Sequence, residues 1–166
     1  MFVLAVTASL LLPSCAVKGL AFHQDDRLKI VEPKNHSVLT LPVTVRWETT
    51  GFHVTGPNGT VDPNGGYFAV FFDRAPQPPG KPISWLARDD PRCHARFGCP
   101  DAKWFSGHNI YPTTSNTFTI DSLPIFTKQD REQFHDVTIV LLDGTGSRIG
   151  ESAYWVEFRV TGQRSR

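Results

Sequence analysis

The chain has no apolar run long enough to span a bilayer, no excess of one charge, no methionine beyond position 1 and only three cysteines. Each shortage excludes something. The uncharged, mostly apolar stretch FVLAVTASLLL at residues 2–12 is about half of the roughly 20 residues that a spanning helix needs. Lys and Arg number 17 against 16 Asp and Glu, a net charge of +1, too weak a field to gather nucleic acid or an anionic membrane surface. Neither His23, His36, His53, His94, His108 nor His135 forms an i, i+2 pair on a strand, and methionine ligands are missing, so no metal or other cofactor is expected. A GxSxG nucleophile elbow is absent too. The glycine run from Gly144 to Gly150 lacks the Lys and the following helix of a phosphate loop, and reads as a hairpin loop.

What the chain has instead is punctuation. Thirteen Gly and 13 Pro lie mostly between short apolar runs, and aromatics reach 11%, which excludes a helical bundle and argues against long disordered tracts. The length, 166 residues, suits one domain able to bury a core.

Residues 2–12 have the length of a signal-peptide h-region, although no Lys or Arg precedes them and the true start is open. The run ends Leu12-Pro13-Ser14-Cys15, similar to a bacterial lipobox, in which the cysteine is lipidated and becomes the mature N-terminus; Pro13 departs from that pattern. Cysteine arithmetic agrees. Cys93 and Cys99 make a natural disulfide in an oxidising compartment, which leaves Cys15 over. A thiolate metal site with His94 lacks the spacing of a zinc module. Cleavage after Ala16 is the alternative to lipidation and gives a secreted or periplasmic chain. The expected organisation is an export signal at 1–15, a tether at 16–27, the domain at 28–161 and a tail at 162–166. The lipid at Cys15 would anchor the domain to the outer side of a bacterial cell membrane.

From residue 28 the apolar runs are short and bounded by Gly, Pro, Asn and Asp, the pattern of an all-β domain. Leu41, Val43, Val45 and Trp47 alternate with Thr44, Arg46 and Glu48, predicting a half-buried strand. Further strands are predicted at 28–31, 67–72, 116–120, 136–142 and 153–160. Residues 67–72, YFAVFF, are apolar on both faces. Thr127 and Asp130 form a capping box that opens a short helix reaching Phe134. His135 then starts a strand, an ordinary place for a solvated or capping histidine.

The order of these pieces resembles an immunoglobulin-like or fibronectin-III-like antiparallel β-sandwich of bacterial exported lipoproteins. The residues that carry the likeness are Ile30 to Pro33, Val38, the strand Val43 to Trp47, Phe118, Ile120 and Leu123 before a short crossing, and two long final strands. It covers residues 28–161 and departs from antibody domains, since no cysteine sits in the second or the penultimate strand. The resemblance implies a fold, and a binding or structural role only weakly.

In such a sandwich the strands at 67–72, 136–142 and 153–160 lie side by side, and with Tyr154, Val156, Phe158 and Val160 facing the core, Trp155 faces out. The outer face is then apolar and needs a cover. The insertion at 74–111, closed by Cys93 and Cys99, is expected to fold over it and bury Trp155. Trp85, Trp104 and Tyr111 in the insertion, together with Trp155, are the candidate residues for a ligand or partner, an envelope protein or a glycan. Asp73, Asp143 and Glu151, at strand ends read as neighbours, form a candidate carboxylate cluster, expected to be structural. The leading function is a non-catalytic, lipid-anchored envelope module that binds no nucleic acid. A carbohydrate- or peptide-binding module using the insertion aromatics and a hydrolase using the carboxylates are the alternatives.

Overall fold

The alternation at 43–47 is realised in β3 (Val43–Thr49): in the computed structural model Val43, Val45 and Trp47 are buried while Thr44 and Glu48 are exposed. The structure describes residues 25–123 and 132–161. The export signal, Cys15, residues 16–24 of the tether, the capping box from Thr127 to Asp130 and the tail lie outside them.

The chain is mostly β, in two sheets. In the first, β3 lies between β1 (Leu28–Glu32) and β7 (Thr117–Ile120), all antiparallel. The second runs in the order β2 (Ser37–Leu39), β9 (Tyr154–Thr161), β8 (Glu132–Leu142), β5 (Gly65–Phe72), β4 (His53–Val54), with β6 (Ile110–Thr113) also paired to β5. Two short pairings, β2 with β9 and β4 with β5, are parallel, so this sheet is mixed rather than antiparallel as expected. The predicted helix is also corrected in part, since Glu132 to Phe134 belong to β8. Nor are residues 25–27 a free tether. The Asp25 amide donates to Ser152 Oγ at 3.1 Å, and Arg27 bonds both Asp25 at 2.6 Å and the carbonyl of Pro63.

One core fills the space between the sheets. It joins Val43, Val45, Trp47 and Ile120 of the first to Phe68, Val70, Phe72, Val137, Ile139, Leu141, Val156, Phe158 and Val160 of the second. Trp47 meets Phe68 edge-on with centroids 5.5 Å apart. Each of the larger side chains buried here contributes about 1.5–3 kcal/mol relative to exposure.

Strand β5 is buried on both faces, as its composition requires. Tyr67, Ala69 and Phe71 point away from the main core into a second one, shared with Val140 and Leu142 of β8 and with Ile83, Ala87, Cys93, Trp104 and Phe105 of the insertion. The insertion therefore does cover part of the sheet. It is built from a 3₁₀ turn (Ile83–Ala87) and two short helices, α1 (Pro91–His94) and α2 (Ala102–Gly107). Asp90 caps α1 by accepting from the amides of Arg92 and Cys93, and Asp101 caps α2 by accepting from that of Trp104. Cys93 and Cys99 form the expected disulfide, with Cα atoms 5.2 Å apart. At the insertion's start, the buried Arg148 guanidinium donates to the carbonyls of Gln77 at 2.7 Å and Glu151 at 2.6 Å, tying the insertion to the β8–β9 hairpin.

Candidate functional site

The insertion aromatics do not form a platform. Trp104 is 8% exposed, stacks on His108 at 4.0 Å and donates its Nε1–H to Asp90 Oδ2 at 2.7 Å. Trp85 is half-buried beneath the Arg88 guanidinium, 3.4 Å from its ring centroid. Tyr111 packs on Phe118 at 4.7 Å beside the main core, while its neighbour Ile110 belongs to the second one. Successive residues of β6 point to opposite faces, which separates Tyr111 from Trp104.

The carboxylates separate as well. Asp73 follows β5 and Asp143 follows β8, and since these strands are antiparallel, with Phe72 opposite Val137 and Tyr67 opposite Leu142, the two aspartates sit at opposite ends of the pair. Asp143 organises the hairpin turn, its Oδ1 accepting from the amides of Thr145 and Ser147 at 2.9 and 3.0 Å. Glu151 is exposed and enters through its backbone carbonyl. Among the described residues no group of three or more His, Cys, Asp or Glu is placed to hold a metal ion, and no helix is long and apolar enough to cross a membrane.

At the Asp73 end lies a contact that the sequence reading missed. His135 is buried, not solvated: its Nδ1 is 2.7 Å from Asp73 Oδ2, its Nε2 is 3.2 Å from Gln133 Oε1, and its ring stacks on Phe72 at 5.1 Å. Asp73 Oδ1 accepts from the amide of Asp136 at 2.9 Å. These bonds hold Asp73 at φ 50°, a left-handed conformation costly for a non-glycine residue. The pair borders a cleft of about 520 Å³, lined also by Tyr111, Phe118 and Ser122. Through these contacts to Asp73 and Gln133, His135 ties the start of β8 to the end of β5. Its parity with Val137, Ile139 and Leu141, all core-facing, was the available signal.

The feature that stands out is the part of the sheet that the insertion leaves bare. Trp155 is 57% exposed, against the expectation that it would be buried. The cause is topological. The insertion returns through β6, which pairs with β5 on the side away from β8, so its packing reaches Val140 and Leu142 of β8 and includes no residue of β9.

Three rows of side chains stand on the bare face. Trp155 lies opposite Thr138, Glu157 opposite Asp136, and Arg159 opposite both Phe134 and Val38. Phe134 is 66% and Val38 58% exposed, and the Arg159 guanidinium lies 4.9 Å from the Phe134 ring centroid. Burial, and then the nearby Asp73 and Glu157, push the Asp136 carboxyl above its ordinary range. His36 Nδ1 approaches Glu157 at 3.3 Å. Aromatic and aliphatic rows thus flank a carboxylate pair on a surface carried by regular strands, a rigid scaffold for binding. Comparison with protein-family models, with curated proteins and with solved structures returned no match, and the role of this face is argued from its own residues.

Proposed function

We propose that the chain is an exported, lipid-anchored envelope module with an immunoglobulin-like sandwich, non-catalytic, working through the bare face of β2, β9 and β8. The observation that carries the reading is the contrast within one sheet: β5 and part of β8 are sealed by the insertion, while Trp155, Phe134 and Val38 stand in solvent. A monomer gains nothing from exposing aromatics on a regular sheet, and such patches mark contact surfaces. The immunoglobulin-like assignment draws support from the strand order, three strands against a sheet in which β5, β8 and β9 are neighbours and β2 runs parallel to β9. The disulfide supports export.

Two outcomes are expected. Trp155→Ala should shift stability by less than about 1 kcal/mol, as surface substitutions do, and abolish association with envelope material. A thermal melt and a binding assay on the same variant read both; a large drop in the melting midpoint, or unchanged association, overturns the reading. Separately, the mature chain should begin at an acylated Cys15 and partition into detergent. Intact mass shows this directly. A mature N-terminus at Val17, or a Cys15→Ser chain that stays membrane-bound, argues against the lipid anchor.

A further inference from the structure

Resting on that reading of the bare face, we propose that its occupant is a polypeptide segment bearing lysine or arginine, whose cationic group sits on Asp136 and Glu157. The two residues are direct partners across β8 and β9, where opposed side chains stand about 5 Å apart and like charges destabilise the pair. A third carboxylate, Asp73, lies behind Asp136 and accepts its amide. Among the described residues, the nearby cations are largely committed elsewhere. His135 is bonded to Asp73, Arg159 is one row along and stacked over Phe134, and His36, on the exposed chain beside β2, contacts Glu157 alone of the pair. The face therefore carries an unfavourable like-charge contact between its flanking rows, and a bound cation relieves it.

The rows fit such a group. Residues two apart on a strand stand about 7 Å from one another on the same face, so Trp155 lies one row to one side of the carboxylates and Phe134 with Val38 one row to the other. A lysine or arginine head can meet the carboxylates while its alkyl stem, and the apolar residues around it, cover the flanking rows. Charge decides against the competing occupants. A second copy placed face to face about the central row sets carboxylates against carboxylates, and an anionic membrane surface is repelled. A neutral glycan can stack on Trp155 and leaves the like-charge contact in place.

The test uses the mature chain and three probes: an octapeptide alternating lysine and threonine, its glutamate counterpart, and a neutral hexasaccharide, each titrated calorimetrically at low and at physiological salt. The lysine peptide should bind, at least about tenfold more tightly than the glutamate peptide, and weaken with salt. The double variant Asp136→Asn, Glu157→Gln should lose that binding about tenfold or more, yet melt no lower than the parent, since it removes a like-charge contact. Loss of binding with a lowered midpoint, equal binding by the glutamate peptide, or no binding by the lysine peptide overturns the proposal. Binding of the hexasaccharide that Trp155→Ala abolishes and the double variant keeps overturns the cationic partner but upholds the face. If Trp155→Ala also leaves envelope association unchanged, the face itself is rejected.

Discussion

Gly66→Ala is expected to destabilise the fold by about 4 kcal/mol or more, enough to leave a marginally stable domain largely unfolded. A Cβ at this position would lie 1.9 Å from the carbonyl oxygen of Leu142 and 2.8 Å from Asp143 Cα, and φ is +148°, where side chains are strained. The obstructing atoms are backbone. They belong to the ladder that pairs Tyr67 with Leu142, so retreat means breaking β5 from β8. Gly66 also accepts from the amides of Thr55 at 2.8 Å and Gly56 at 3.1 Å, so the same shift loosens the neighbouring loop. Backbone strain and overpacking each cost about 1–3 kcal/mol. Gly51→Ala is the control: its φ is +69° but nothing lies within 4 Å of the added carbon, so strain acts alone. Urea unfolding of the two variants should differ widely; a Gly66→Ala midpoint close to that of Gly51→Ala would refute the close approach.

Trp104→Ala should cost about 3–5 kcal/mol, the usual range for large aromatic truncations in a core, and should release the insertion from the sheet. Trp104 packs edge-on against Phe105 at 5.5 Å in the same cluster as Phe71 and Val140. Its bond to Asp90 reaches the residue that caps α1, so one truncation removes both packing and a support of the disulfide-bearing turn. The Trp104 indole, followed by the Cys93 amide, holds the Asp90 carboxyl below its ordinary range. A lowered folded-state pKa stabilises at pH above the unfolded value, and that contribution is lost as pH falls through the folded one. The insertion should therefore be clipped faster by protease in Trp104→Ala, and faster in the parent on acidification, while Trp155→Ala leaves the clipping rate unchanged. Equal clipping rates and midpoints for the two tryptophan variants would show that the insertion is not held by this core.

The strands themselves were open to reading. Val43, Val45 and Trp47 alternate with polar residues, and that short period suffices to place them inside. Apolar side chains on both faces of residues 67–72 required two covers, and the long insertion with its aromatics was the evident source of the second. The opposition of Asp73 and Asp143 was open to reading as well, because antiparallel neighbours end at opposite ends; grouping the two aspartates ignored strand direction. Glu132 to Phe134 read as helix from a capping box, yet pair with Val160 and its neighbours of β9, a case of tertiary pairing overriding local preference.

By itself the sequence determined which side chains seek burial and on which faces, since alternation and composition act over a few residues and need no knowledge of distant chain. It also determined that Cys93 and Cys99 can close a ring, being near neighbours in a loop. Only the tertiary structure decided what covers each face. The return of the insertion through β6 to the far edge of β5, the end of its packing at Val140 and Leu142, and the opposition of Asp136 to Glu157 all depend on contacts between residues far apart in the chain. Trp155 stands in solvent for that reason: its orientation is local, but its exposure depends on how far another part of the chain extends.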